Sequence, residues 1–452
     1  MRTCNAARRY CASVALVASL VAQPSQADGL PPVPPVPAAP PVPAAPPVPT
    51  SPAPATPEAE LPSLYFSPPY GECSLSAWSS NRNLDDRQNV TSVLCTVNWK
   101  PKINADLRAG LNLRAGSQLN LAADSASGRV REAYVDFERN ALAVRFGRQI
   151  VAWGRADGIN PTDKLAPKDF TLLTPDDESQ RLGIDAAKIR YTVNPSISLT
   201  AVAAQFTAHV TPQGALPANL VKAPEPSGTE WAIKLDRAGQ GLDWSVSYFD
   251  GYERFARYRL DLGIPKAPVF QGDFERSRSL GGDLALASGA WTWRAEFNHA
   301  ALRPGCGQCP QYERRVSRAV LGADLDFAQT MNLNVQLVAT RDWDYQEHTQ
   351  AFGLLRTLEL GRSRLNAEYA ALESGLTFRL SDRLLNDKLK WEIGGVFDLT
   401  GHSRLIRPRV SYALSDYARL NAGIDFYAGD SQTYFGALTK NRLAFLMVSL
   451  VF

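Results

Sequence analysis

The chain has no apolar run approaching the ~18 residues that a membrane-spanning helix needs, which excludes a helical membrane protein. It has no charge imbalance either. Forty-eight basic side chains stand against 45 acidic ones, a net charge of +3, so no nucleic-acid footprint is present. No Walker-type loop, dinucleotide fingerprint, HExxH or GxSxG motif occurs. The four histidines, His209, His299, His348 and His402, stand far apart and form no motif. The expectation is therefore a chain that is not an enzyme and holds no cofactor and no metal.

What is present begins with an export address. Arg2, Arg8 and Arg9 precede a short apolar core at 14–22, and Ser25-Gln26-Ala27 supplies small residues at the −3 and −1 positions. This predicts a signal peptide over 1–27, cleaved after Ala27. The core is too short to span a bilayer. A proline-rich linker follows over 28–62, dominated by PPVPPVPAAPPVPAAPPVP. Proline lacks the donor for a helix or a ladder and favours polyproline II. At ~3.1 Å per residue such a stretch reaches on the order of 80 Å. It reads either as a passive spacer in the periplasm or as a docking element for a periplasmic or cell-wall partner.

Cysteine is sparse. Of six, Cys4 and Cys11 leave with the signal, and Cys73, Cys95, Cys306 and Cys309 remain. An even number in an exported chain suggests disulfides. Cys73 with Cys95 and Cys306 with Cys309 is the simplest of three pairings. The CGQC stretch at 306–309 reads as a loop clip, with a redox or metal motif as the alternative.

Beyond a lead-in segment at 63–89, the region 90–452 is strand after strand. Apolar and polar residues alternate at 105–113, 229–237, 331–340, 388–399 and 419–428. The alternating stretches run to ~10 residues, near what a tilted membrane crossing needs, and mean hydropathy is only −0.21. Their polar faces are dense in charges and amides, which suits a wet lumen. Short breaks at 138–140, 194–196, 238–241, 288–289 and 361–363 alternate with longer polar stretches near 209–228, 251–276, 302–312 and 342–350. This pattern predicts an all-β transmembrane antiparallel barrel of about 16–18 strands behind a disordered proline-rich segment. The count has a defect. Counting forward puts 414–417 among the long loops, and counting back from the C-terminus puts it among the short turns. One strand between Glu373 and Lys390 is therefore missing or surplus.

The last strand, LAFLMVSLVF at 443–452, ends on Phe452. A terminal aromatic closing an alternating strand resembles the assembly signal of bacterial outer-membrane barrels, which implies the barrel assembly machinery and outer-membrane lipid as partners. Gly147-Arg148-Gln149, Trp153-Gly154, Asp157 and Asn160-Pro161-Thr162-Asp163, together with 407–430, resemble a poorly characterised Gram-negative outer-membrane porin-like β-barrel family. That family is broadly similar to alginate-export barrels. The resemblance implies a barrel in the outer membrane and little about cargo.

One stretch departs from strand. Residues 149–182 carry Pro161, Pro167 and Pro175, and long loops in compact folds are commonly functional. Its aromatic anchors, Trp153 and Phe170, and its charges predict an ordered loop that narrows the pore. The expected constriction residues are Arg145, Arg148, Trp153, Arg155, Asp157, Asn160, Asp163, Lys168 and Asp169. The alternative is that these charges pair among themselves and brace the wall. The functional expectation is a porin-like channel for small polar or anionic solutes or a polysaccharide, the solute itself being unknown. The alternative is a non-conducting scaffold barrel that docks a partner through its proline-rich arm.

Overall fold

The computed structural model describes residues 67–80, 89–119, 127–210, 219–262, 267–305, 312–346 and 352–452. The segments expected to be a signal peptide and a proline-rich linker, and Cys306 and Cys309, lie outside the described residues. Among these residues, eighteen antiparallel strands form one closed barrel. They are β1 (Tyr70–Ser80), β2 (Asn89–Trp99), β3 (Leu107–Leu119), β4 (Ser127–Arg139), β5 (Leu142–Gln149) and β6 (Ile184–Asn194). Next come β7 (Ile197–Gln205), β8 (Thr229–Arg237), β9 (Leu242–Tyr252), β10 (Arg276–Ser288), β11 (Trp291–Arg303) and β12 (Arg314–Phe327). The last six are β13 (Met331–Asp342), β14 (Leu372–Leu384), β15 (Leu389–Asp398), β16 (Ser403–Ala413), β17 (Ala418–Ala428) and β18 (Leu443–Val451).

Each strand pairs with its successor, and β18 pairs with β1 from Glu72↔Val451 to Ser80↔Leu443. Closure leaves no edge of unpaired backbone. The seam runs to the last residue, because Gly71 and Phe452 exchange backbone hydrogen bonds of 2.9 and 3.0 Å. A side chain at Gly71 would stand 2.3 Å from the Thr96 carbonyl and 2.8 Å from the Phe452 ring. The seam therefore requires glycine opposite the terminal aromatic.

The barrel starts at Tyr70, inside the segment expected to be a lead-in. The alternation of β1 is hard to see because YGECSLSAWSS has few large apolar residues. The counting defect resolves as a missing strand, β14, whose outward face is punctuated by Ser374 and Asp382. With it restored, 414–417 is a short turn on the same end as both ends of the barrel. A further correction concerns 361–363. It is not a tight turn but part of helix α1 (Gly353–Asn366), which ends at Ala367 in the left-handed region (φ 50°). Cys73 and Cys95 form a disulfide between directly opposed residues of β1 and β2.

Period two assigns the faces. On β11, Trp291, Trp293 and Phe297 are exposed outward, while Glu296 and Asn298 are buried inward. The same inversion holds at Leu280, Leu284 and Leu286 against Ser277, Ser279 and Asp283 on β10, and at Leu446, Val448 and Leu450 against Ser449 on β18. Polar groups inside and apolar groups outside is the arrangement of a barrel bathed in hydrocarbon. At the long-loop end, strands Arg257–Asp261, Val269–Asp273 and Leu220–Val221 form a small separate sheet. Asn366 of α1 exchanges hydrogen bonds of 2.8 and 2.9 Å with Tyr258, docking the helix against it.

Candidate functional site

A barrel of about this strand number has a lumen that wall side chains do not fill. The chain between β5 and β6, residues 150–183, enters that space. Its apolar residues Val151, Trp153 and Leu165 pack on Ile184, Ala186, Val202, Ala204, Ala232 and Phe249 of β6 to β9. At its far end Leu173 packs beside Trp78, Val90, Phe445 and Met447 of β1, β2 and β18. The loop thus spans the lumen from one wall to another.

Polar anchors fix each stage of the crossing. Glu296 on β11, almost wholly buried, accepts from the backbone N–H groups of Arg155 and Ala156 and from the Thr162 hydroxyl at 3.1 Å. Gly154 has φ +97°, and a Cβ there would meet the Glu296 carboxylate at 2.7 Å. The Trp153-Gly154 pair seen in the sequence therefore has a physical reason: one fills the wall cluster and the other turns the backbone onto a buried acid. The Arg155 guanidinium pairs with Asp283 of β10 and, at 2.7 Å, with Asp236 of β8. Asp157 pairs with Arg379 of β14 at 2.7 Å, and the Gln336 carboxamide of β13, in the orientation that satisfies both groups, grips the Asp157 backbone. Farther along, Arg114 of β3 donates to the Ser179 carbonyl, and Arg131 of β4 donates to the carbonyls of Arg181 and Glu178. Asp177 pairs with Arg407 of β16 at 3.0 Å.

Arg254 and Glu253, which the sequence does not single out, act as hubs. Arg254 follows β9, is buried, pairs with Glu230 at 2.7 Å and donates to the carbonyls of Lys164, Leu165 and Thr207. Lys164 pairs with Glu253 at 2.7 Å. Burial pushes the Lys164 ammonium down. Glu253 is also buried, yet Lys164 and Arg318 together hold its carboxyl well below the usual range. The loop is also stitched to its neighbour: the Lys168 N–H donates to His209 Nδ1 at 2.8 Å, and Phe170 and Val210 join through a backbone bond of 2.9 Å. Burial among Phe170 and Phe255, with Arg254 and Lys168 nearby, pushes His209 down to about 4. No local sequence signal marks these partners, because most of these contacts join segments dozens of residues apart.

The expected constriction residues divide. Trp153, Arg155, Asp157, Asn160, Asp163, Lys168 and Asp169 all lie on the crossing loop. Asp163 pairs with Arg181 inside the loop, Asn160 turns its amide to the Ala156 carbonyl at 2.6 Å, and Asp169 sits 3.4 Å from Arg129 of β4. Arg145 faces the lumen from β5, paired with Asp136 at 2.8 Å and stacked over Tyr134. Arg148 falls on the outward face with Phe146 and lies 3.6 Å from exposed Asp185, so it is placed outside the passage. Phe170 stacks on Phe255 of a neighbouring loop at 5.7 Å, not on the wall.

Between the loop and strands β13 to β18 a cavity of about 640 Å³ remains open. Asp157, Asp176, Asp177 and Glu178 line its loop edge, with Lys168 among them. Arg379, Lys390, Arg407, Arg409 and Arg419 line the wall opposite, with Glu392 among them. Gly394 lies in register between Arg379 and Arg407, leaving room for both guanidinium groups. Arg407 and Arg409 share Asp425 at 3.2 and 3.0 Å, whereas Arg419 has no ion pair among the described residues. Acid on one side and base on the other set a field across the passage.

No family model and no curated protein sequence matches the chain. Solved barrels of Gram-negative outer membranes share its fold. OccAB1 of Acinetobacter baumannii superposes with a TM-score of 0.54 at 8% identity, covering 85% of this chain and 96% of that one. OccK11 (OpdR) of Pseudomonas aeruginosa gives 0.50 at 11% identity, covering 87% and 98%. OpdK of the same organism, solved with vanillate, gives 0.50 at 12% identity, covering 85% and 98%. At these identities the likeness concerns the fold, and it places the chain's architecture with outer-membrane porin barrels.

Proposed function

We propose that this chain is an outer-membrane porin-like channel for small anionic solutes, with residues 150–183 as its constriction. The observation that carries the reading is the crossing loop itself. Beside it lies a charged cavity in which an acidic loop edge faces an arginine-rich wall. A solute with a carboxylate would be drawn to Arg379, Arg409 and Arg419, while its polar or cationic part would turn toward Asp176 and Glu178. Vanillate, with which one barrel of similar fold was solved, is a small carboxylate of that chemistry.

The test is single-channel recording in planar bilayers under a salt gradient. The reading expects discrete conductance steps and a reversal potential displaced toward anion preference. Removing 155–178 should raise conductance and collapse the preference. A folded barrel that gives no steps, before or after that deletion, would overturn the channel reading and favour the scaffold role.

A further inference from the structure

We infer that the outer wall of β10 to β13, at the long-loop end, binds the phosphorylated headgroup of an outer-leaflet lipid. The inference rests on the chain being an outer-membrane barrel whose long loops face outward, and it concerns a surface the channel reading does not use.

Five arginines project outward in one quadrant there: Arg276 and Arg278 on β10, Arg303 on β11, Arg315 on β12 and Arg341 on β13. The sheet register groups them. Arg276 opposes Arg303, and Arg278 and Arg315 both oppose Ala301 from its two sides. Ser317 opposes His299 on one side and Arg341 on the other. Neighbouring strands stand ~4.8 Å apart, so Arg278 and Arg315 leave the wall ~10 Å from each other across a small residue. Guanidinium arms of that reach can close on one phosphate between them, the bidentate recognition that arginine favours.

The acids nearby do not balance the quadrant. Asp250 is shared by Arg276 and Arg278 at 2.7 and 3.1 Å, Glu313 takes Arg303 at 2.7 Å, and Asp344 takes Arg315 at 3.0 Å. Arg341 has no ion pair among the described residues and lies over the Trp343 ring at 5.5 Å. Arg278, Arg303 and Arg315 keep more than half of their side-chain surface exposed despite their partners.

The level on the wall specifies a lipid. Directly below the arginines the same faces carry Leu280, Phe297, Leu321 and Leu337, all exposed. Strand β11 runs from Trp291 at the short-turn end to Arg303. Its thirteen residues cover ~40 Å along the strand, ~30 Å along the membrane normal at a 40° tilt. That matches an apolar band bounded by an aromatic girdle at one interface and by these arginines at the other. Trp343, also exposed, donates through Nε1 to Ser317 at 2.9 Å and marks the same interface. Acyl chains on the leucine and phenylalanine surface would deliver a phosphate to the arginines above.

The experiment titrates diphosphoryl lipid A into the full chain in dodecyl maltoside and reads bound lipid by native mass spectrometry. Dephosphorylated lipid A, phosphatidylethanolamine and inorganic phosphate serve as parallel probes. Saturable binding of the diphosphoryl form is expected, weakened about tenfold in Arg278→Gln/Arg315→Gln/Arg341→Gln, with single-channel conductance unchanged. Equal binding by that variant overturns the inference, as does equal binding of the dephosphorylated lipid. Competition by inorganic phosphate at matched concentration also overturns it, since the site would then be a plain anion site. If the triple variant yields no heat-modifiable barrel, Arg341→Gln alone carries the test, and unchanged binding there is the overturning result. Normal channel steps from a barrel whose lipid binding the variant leaves unchanged separate failure of this inference from failure of the channel reading.

Discussion

Replacing Glu296 by alanine tests how the constriction is held. Its carboxylate accepts from two consecutive backbone N–H groups, at Arg155 and Ala156, and from the Thr162 hydroxyl. Hydrogen bonds to a charged group contribute about 1.5–3 kcal/mol each, and donors left buried without a partner add a penalty. Losing the two backbone bonds should loosen the 154–162 turn by roughly 3–6 kcal/mol. The rest of the loop keeps Arg155 on Asp283, Arg254 on Lys164 and Leu165, and the docking of Leu173, so the barrel should stay closed. The expected result is a heat-modifiable barrel with higher, noisier single-channel conductance and weaker ion preference. Glu296→Gln keeps one accepting oxygen and should fall between the two. Wild-type conductance, noise and reversal potential in a folded Glu296→Ala barrel would refute the reasoning, because the turn would then lie outside the permeation path.

Glu replacing both Arg407 and Arg409 should move the reversal potential toward cations, since it inverts the wall facing Asp176 and Asp177; an unchanged potential would show that ions pass elsewhere. His209 is held neutral, at about 4, below its ordinary value of 6.5. A released loop takes the proton first, so the stitch contributes fully above pH 6.5 and is lost as pH falls through 4. Conductance should therefore rise across that window, and His209→Gln should flatten the profile. Gly71→Val should slow assembly by forcing apart the Phe452 ring and the Thr96 carbonyl, seen as unfolded chain on a heat-modifiability gel. Serine at both Cys73 and Cys95 removes a link spanning 22 positions, which should lower denaturant stability by about 3 kcal/mol while leaving conductance intact.

The barrel was legible because its physics is local. Alternation over a strand is written in consecutive residues, and the rhythm of short turns and long loops is written in glycine, asparagine and proline. Legibility failed where that local signal thins. β1 carries only Leu75 as a large apolar residue on its outward face, beside Cys73, Ala77 and Ser79, while Ser74, Ser76 and Trp78 fill its inward face. The crossing loop was legible as an element, through its prolines, its charge and the break in alternation. Its attachments were not. Arg155 finds Asp236, Asp283 and Glu296 on three strands far along the chain, and Arg254 ties segments around 164, 207 and 230. Each of those acids has the same local pattern as any lumen carboxylate, so sequence offers no means of telling anchor from lining. Arg148 shows the converse. It stands in the most recognisable stretch of the chain, yet period two from Phe146 turns it outward, and that face follows once the register of β5 is known. The passage charges fall between these cases. Arg379, Arg407 and Arg409 become one wall only because Gly394 separates two of them in register and because 150–183 occupies the other side of the lumen. In the proposed channel, selectivity follows from which side the loop fills, a choice made by Trp153 and Leu165 packing on Phe249 and its neighbours in the wall opposite the arginines.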